Sequence, residues 1–467
     1  MSLVVLLLVP FLIGMCCLTQ TREAGRPFAI AGSLGHLLLA LWVVSRPEWP
    51  HFQLAWLPSA GLTFSLAVDG AGYLLLVLTP LLTTLALILT PPEIDRAESF
   101  YGLLLILSAA LTGLFLADNL LLFYFFFEVM LLPALLLTAR WGGANGRKAA
   151  FKFFLFTLAG SLPMLFGVLF LAASTDGNLD FSNLRTVDPG TQRWLFVLFA
   201  LAFSVKTPLV PFHGWLVDLY RSAPPQVTAV VAAVMSKAGV YGFIKVGLLV
   251  FPEAMASAAP VLLVMAVIGV LYGGLCALGD PTITGTLAYS SLSHMGMIVM
   301  GLVALNRTGL SGGTLQMLNH GLATGGLFLV VAVLAGRGLS DQLDQNGGLA
   351  QSAPRLAVVF LFLTMASLGL PGLCSYPGEV LILTGLFRQS PRMTVLASLG
   401  IVIAAWYLLR LYQGVMHGPG RQSTSDLSAW EFSGFLPLLV LVVVVGAAPG
   451  VWLDPVQLWM ETAGILQ

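Results

Sequence analysis

The chain has 467 residues, of which 58% are apolar and only 9% charged, and its 21 Lys and Arg balance 21 Asp and Glu. A soluble domain carries about 25% charged residues, so this composition cannot clothe a water-facing surface and points to a bilayer. The neutral balance leaves no basic footprint for nucleic acid and no acidic tail, which excludes nucleic acid as a partner.

A membrane-spanning helix needs about 20 mostly apolar residues. Runs of that kind predict spans over 2–18, 27–45, 70–92, 99–117, 119–139, 153–175, 194–216, 226–252, 254–279, 282–306, 308–336, 356–387, 393–417 and 432–453. The expected fold class is therefore an all-α polytopic membrane protein with about fourteen transmembrane helices. The 26 prolines and 49 glycines agree with it, because lipid-embedded helices tolerate both. The first run lacks the basic segment and small-residue cleavage site of a signal peptide and reads as a retained helix. The longest connections, 47–69, 176–193, 337–355 and 418–431, hold most of the Asp, Gly, Ser and Pro expected of loops, and the tail 454–467 reads as a short interfacial helix. Cys16, Cys17, Cys276 and Cys374 lie inside apolar runs without a CxxC pair or nearby His, as small buried hydrophobes rather than disulfide, iron–sulfur or zinc ligands.

Alternate connections differ in charge. Arg22, Arg26, Arg140, Arg147, Lys148, Arg221, Arg337, Arg355 and Arg421 fall on one side, against Arg46, Arg185, Arg193, Arg307, Arg388 and Arg392 on the other. The positive-inside tendency then turns both termini away from the cytoplasm.

Two spans are interrupted alike. The seventh contains Lys206-Thr207-Pro208-Leu209-Val210-Pro211, and the twelfth contains Gly369-Leu370-Pro371-Gly372 followed by Pro377-Gly378-Glu379. Proline removes a backbone donor and clashes with the preceding turn, so both helices should break near mid-membrane. Broken helices at corresponding places point to repeated halves around an ion site. The offset of five spans gives helices 1–3 over 1–98, a first five-helix unit over 99–252, a second over 253–417, and helix 14 with the tail over 418–467.

Six charged side chains fall within the spans: Glu128, Lys206, Lys237, Lys245, Glu379 and Arg410. Each costs roughly 2.5–3.5 kcal/mol at a helix centre, so all six should face the interior. A Glu128 that approaches Lys206 would favour its ammonium while burial favours the amine, the property a proton conductor needs; the competing reading is a static ion pair that locks two helices. Lys237 and Lys245, eight residues apart, should project the same way about 12 Å apart as spaced stations, although Lys245, near a span end, could instead snorkel to the interface. His294 and His320, in neighbouring spans, suit proton relay near neutral pH, against a structural role for either and a weak case for haem ligation. His36, alone in the second span, reads as structural. Glu379, just after a break, is a proton station or a helix-end residue, and Arg410, which cannot lose its proton, is a gate or an anchor.

These residues sit in recognisable surroundings. Leu122–Leu132 around Glu128, Phe203–Leu216 around Lys206, Leu287–Gly296 ending in Ser293-His294-Met295-Gly296, Asn319-His320-Gly321-Leu322, and Leu370-Pro371-Gly372 leading to Glu379 resemble the antiporter-like membrane subunits of respiratory complex I. The likeness runs from about residue 65 to 415. It implies fourteen helices in two inverted five-helix repeats, a half-channel at Glu128 and Lys206, a link through Lys237, His294 and His320, and an outlet at Glu379. It further implies translocation within an NADH:quinone oxidoreductase in a bacterial cytoplasmic membrane. No cofactor belongs to this chain on that reading; NADH, FMN, iron–sulfur clusters and quinone belong to partner subunits. Those partners are other antiporter-like and small membrane subunits and, through them, a peripheral electron-transfer arm. Glu rather than Lys at 379, in a chain too short for a lateral helix, narrows the resemblance to one type of subunit. One departure is Thr282-Ile283-Thr284-Gly285-Thr286, where relatives usually carry a basic pair after an acidic residue, and it should alter a loop or interface contact.

The alternatives are a subunit of a multi-chain cation/proton antiporter or membrane-bound hydrogenase, a stand-alone solute transporter and a haem-bearing redox protein. A row of Lys, His and Glu suits protons better than an organic solute. With neither a phosphate-cradling Gly-rich loop bearing Lys nor a GxGxxG on a strand, the chain has no visible means of using ATP or NADH itself.

Overall fold

The computed structural model describes the chain apart from residues 58, 60, 92, 185–187, 421 and 466–467 and the side chains of Arg22 and Glu23. Arg185, Arg421 and the Arg22 side chain, which contribute to the loop charge asymmetry, thus lie outside the described residues.

In chain order the elements are α1 (Ser2–Cys17), α2 (Arg22–Val44), β1 (His51–Leu57), β2 (Leu62–Ala67), α3 (Gly72–Ile88), α4 (Ala97–Leu116), α5 (Leu120–Val129), α6 (Leu131–Trp141) and α7 (Gly146–Ser174). Next come the short α8 (Phe181–Leu184), α9 (Pro189–Lys206), α10 (Leu216–Ser222) and α11 (Pro225–Val230). α11 passes through a π turn (Val231–Met235) into α12 (Lys237–Gly242) and a second π turn (Phe243–Leu248). α13 (Pro252–Gly279), α14 (Ile283–Val303), α15 (Arg307–Gly336), α16 (Leu349–Ser352), α17 (Pro354–Ser367), α18 (Ser375–Gln389), α19 (Pro391–Met416), α20 (Ala429–Ala447) and α21 (Pro449–Thr462) follow.

Helix occupies each of the expected spans. Ten helical stretches among the described residues are long and apolar enough to cross a membrane, with α1, α3 and α17 as shorter apolar helices. The protein is a multi-pass, all-α membrane protein. The fifth span is α5 with α6, and the seventh and twelfth break as their prolines require, into α9 and α10 and into α17 and α18. The eighth is interrupted by its π turns, which no proline announces.

The segment 47–69, expected to be a loop, contains an antiparallel hairpin pairing Phe52 with Leu66 and Leu54 with Phe64. The apolar residues alternate along both strands, the period-two signal of a half-covered sheet, but the polar residues between them look like a loop. The hairpin docks at one end of the bundle, where Thr63 and Asn119 both donate to Asp180, at 2.7 and 3.1 Å. α21 lies at the same end, with Tyr73 donating to the Trp452 carbonyl, and it begins five residues before the expected tail helix.

At the opposite end, the Thr282–Thr286 departure builds a helix start. Thr282 accepts from Gly285 N at 3.0 Å, Asp280 accepts from Thr282 N and Oγ1, and Thr284 N donates to Asp341 at 2.9 Å. Burial holds the Asp341 carboxyl above its usual range, against the lowering effect of its bonds from Thr284. Arg221 pairs with Asp280 beside them. The loop contact expected to differ is thus made by hydroxyls.

The outer helices keep apolar side chains outward, as at Phe151, Leu155, Leu162, Phe166 and Leu169 of α7, whereas α11–α12, α14 and α15 are almost wholly enclosed. Cys17 and Cys374 are buried as expected, but Cys16 is exposed on the outer face of α1.

Candidate functional site

Glu128 occupies the last turn of α5, whose start is fixed by Asn119 accepting from Leu121 N at 2.9 Å. Lys206 is the last residue of α9, buried with its Nζ 5.1 Å from the Phe127 ring and 5.6 Å from the Phe153 ring. The two charges lie in each other's field without forming an ion pair: Lys206 Nζ lacks a hydrogen-bond partner in the protein, and the Glu128 carboxyl has Ser161 beside it. This is not a locked ion pair. A small movement of either helix changes the attraction between them.

The break after Lys206 brings the eighth span close. A Cβ on Gly239 would meet Thr207 N at 2.8 Å and would also press on the Phe203 carbonyl. Only glycine lets α12 rest on the end of α9. Gly239→Val should cost about 1–3 kcal/mol through overpacking against backbone that cannot yield, seen as a lowered thermal midpoint of the assembled protein.

Lys237 is fully buried and has no carboxylate beside it. Its Nζ donates to Ala232 O at 2.8 Å, contacts Ser236 Oγ at 3.3 Å and shares a 2.5 Å hydrogen bond with His320 Nδ1. The π turn frees this carbonyl, which also accepts from Ser236 Oγ at 2.7 Å. The Lys237–His320 contact needs one partner to bring a proton and the other a lone pair. An ammonium facing a neutral imidazole satisfies it, and so does an amine facing an N–H imidazole. The same geometry holds on either side of a proton transfer.

His294 on α14 continues the line, its ring centroid 5.7 Å from that of His320. The Nε2 atoms of both histidines lack protein partners. Tyr220, Ser236 and Ser291 gather beside them. On the same helix as His294, Ser290 accepts from Tyr407 OH of α19 at 2.9 Å, and Tyr407 lies within the field of Glu379.

Glu379 is buried in the second turn of α18. Its carboxyl occupies the space where a side chain on Gly369 would sit, and Gly369 has φ +72°, a left-handed conformation that favours glycine. Gly378 lets α18 approach Gln316 and Asn319 of α15, which bond each other at 3.0 Å. The helix break therefore positions the acid in the second turn of α18.

Lys237, His320 and His294 thus meet in the enclosed centre, Glu128 and Lys206 lie within each other's field, and Glu379 is buried against Gly369, while two expected members stand elsewhere. Arg410 is exposed and donates to the Leu278 carbonyl near the end of α13, so it is an anchor outside the row. Lys245 does not snorkel: it is buried and paired with Asp69 at 2.7 Å, with Asp118 at 3.5 Å. Lys237 meets His320 of α15 whereas Lys245 meets Asp69 at the hairpin end, so Lys245 is no second station on the face of Lys237. His36 is buried and 3.4 Å from Thr112 Oγ1, a structural setting. Asp69, Asp118 and Tyr407 escaped the sequence reading. Both aspartates fall just outside predicted spans and look like loop residues; a tyrosine in an apolar run carries no distinguishing signal.

Residues 117–404 match the family described as NADH:quinone oxidoreductase/Mrp antiporter, TM. The chain is 35% identical to NADH-quinone oxidoreductase subunit M of Pseudomonas aeruginosa, covering 98% of each protein. It is 34% identical to NADH-ubiquinone oxidoreductase chain 4 of Marchantia polymorpha, covering 89% of this chain and 86% of that one. In respiratory complex I from Thermus thermophilus with bound NADH, a chain of 33% identity superposes with a TM-score of 0.93 over the full length of both. These relatives agree with the subunit type to which Glu379 points. On a match that includes every titratable residue of the central row, this chain belongs to the NADH:quinone oxidoreductase/Mrp antiporter transmembrane family.

Proposed function

We propose that this chain is the subunit M, or chain 4, type of proton-translocating membrane subunit in an NADH:quinone oxidoreductase, and that protons cross it along Glu128, Lys206, Lys237, His320, His294 and Glu379. The observation that carries the pathway is the Lys237–His320 contact of 2.5 Å. It is a buried, carboxylate-free hydrogen bond whose two ends are both able to hold the proton, flanked by unpartnered polar atoms leading toward Glu128 and Glu379.

Movement or charge change in a neighbouring subunit alters the Glu128–Lys206 separation. As the acid withdraws, the Lys206 ammonium loses its stabilisation and releases a proton toward Lys237. Lys237 passes it to His320, and the polar groups around His294, Ser290 and Tyr407 carry it to Glu379. Units 99–252 and 253–417 each supply one half of this route around one broken helix.

The driving chemistry resides in partner chains, with NADH oxidised and quinone reduced there through FMN and iron–sulfur clusters. The membrane is the bacterial cytoplasmic membrane. Both termini, and with them the hairpin end, face away from the cytoplasm, as the excess of arginine and lysine on the opposite connections favours.

The test is Glu128→Gln and Lys206→Ala in the assembled complex, with protons translocated into vesicles measured beside electron transfer. Each variant should lower the proton yield per electron or stop turnover. An unchanged yield at unchanged rate in both overturns the pathway.

A further inference from the structure

Away from the central row, the hairpin end holds a second chain of titratable groups. His51 of β1 is at the surface, its side chain 51% exposed, with Nε2 3.2 Å from Ser65 Oγ and 3.5 Å from Asp118 Oδ2. Asp118, 29% exposed, reaches Lys245 Nζ through its other oxygen at 3.5 Å. Lys245 is 5% exposed and bonds Asp69 Oδ2 at 2.7 Å, and that same oxygen accepts from Tyr241 OH at 2.7 Å. Tyr241 is one helical turn from Lys237. Four successive contacts of 3.5 Å or less therefore join the aqueous surface to the helix that carries the central lysine.

A static brace needs one acid for one lysine. Here Lys245 has two, and the second carries the contact outward to an exposed imidazole. One ammonium between two carboxylates leaves the cluster with a net negative charge. The remaining sides are closed by rings: Phe181 lies 5.1 Å from Lys245 Nζ, and Phe115 and Phe123 pack on Tyr241 at 5.4 and 6.1 Å between centroids. On the outward side the cluster reaches solvent through Asp118 and His51.

We propose that His51, Asp118, Lys245 and Asp69 form the aqueous terminus of the first five-helix unit on the hairpin end, exchanging protons with the central row through Tyr241. The proposal rests on the proton pathway above. Written for release, the Lys245 ammonium gives a proton to Asp118, leaving an amine and a carboxylic acid. After rotation of the carboxyl group, the acid passes it to His51 Nε2, and the imidazolium gives it to water. The amine is refilled from Asp69, which takes the Tyr241 hydroxyl proton while the phenolate accepts one from the row. Each step moves one proton, and uptake is the reverse.

The experiment compares His51→Gln and Asp118→Asn with Glu128→Gln in vesicles containing the assembled complex, reading protons translocated per electron and thermal stability. Both terminus variants should lose proton yield toward the level of Glu128→Gln, and Asp118→Glu, which keeps a carboxylate, should restore it. His51 is a surface residue, so its substitution reads out even where Asp118→Asn impairs assembly. Unchanged yield in His51→Gln and in any assembled Asp118→Asn complex, beside a lowered one in Glu128→Gln, overturns the terminus and leaves the central pathway standing; a brace would move the melting temperature alone. Unchanged yield in all three overturns both.

Discussion

Lys237→Met is expected to stop proton passage through this chain while leaving the fold intact. The side chain lies among backbone carbonyl, hydroxyl and imidazole with no carboxylate within ion-pair distance, so its charged form is held only by dipoles. Methionine is of similar shape and needs none of them, and replacing a buried charge by an apolar group of like volume is often neutral or stabilising. It deletes one of the two proton-holding ends of the Lys237–His320 hydrogen bond. Lys237→Arg is the sharper comparison, because a guanidinium does not deprotonate. If the position supplies only positive charge, Arg should sustain translocation; if it is a station, Arg should fail as Met does. Vesicle acidification measured beside NADH oxidation separates these outcomes, and wild-type proton yield in Lys237→Arg would sink the station role.

Asp69→Ala is expected to give the largest loss of stability. Removing one member of a buried ion pair leaves the other charge uncompensated and costs about 3–5 kcal/mol, and Asp118, at 3.5 Å and partly exposed, recovers only part of it. Asp69 also caps α3, its Oδ1 accepting from Ala71 N at 3.0 Å and Gly72 N at 2.6 Å, a contribution of about 1 kcal/mol. Adding Lys245→Met should restore most of the ion-pair share but not the cap. Thermal denaturation of the purified assembly checks this; a double variant no more stable than Asp69→Ala would mean that the cap, not the pair, dominates.

The central row was almost wholly legible. Glu128, Lys206, Lys237, His294, His320 and Glu379 stand out because each interrupts an apolar run, and an unneeded charge in a span would be expensive. Their order along the path was not legible. The partner of Lys237 lies 83 residues away, and that of Lys245 lies 176 away. Reading Lys237 and Lys245 as neighbours on one face assumed an uninterrupted helix of 3.6 residues per turn. The π turn at Phe243–Leu248, which contains Lys245, departs from that regular phase, while the one at Val231–Met235 lies before both lysines. Neither π segment contains a proline, so nothing in composition reveals them.

The linear sequence determined the number and approximate positions of the spans, the two breaks and the titratable groups that interrupt the apolar runs. In a bilayer each helix must satisfy its own backbone, so apolar length and proline position read out directly as structure. Only the folded arrangement decided that Lys237 faces His320, that Lys245 faces Asp69, and that Arg410 turns outward. Those choices depend on helix rotation and on close approaches such as Gly239 on Thr207, which arise from packing between segments far apart in the chain and leave no periodic trace along it.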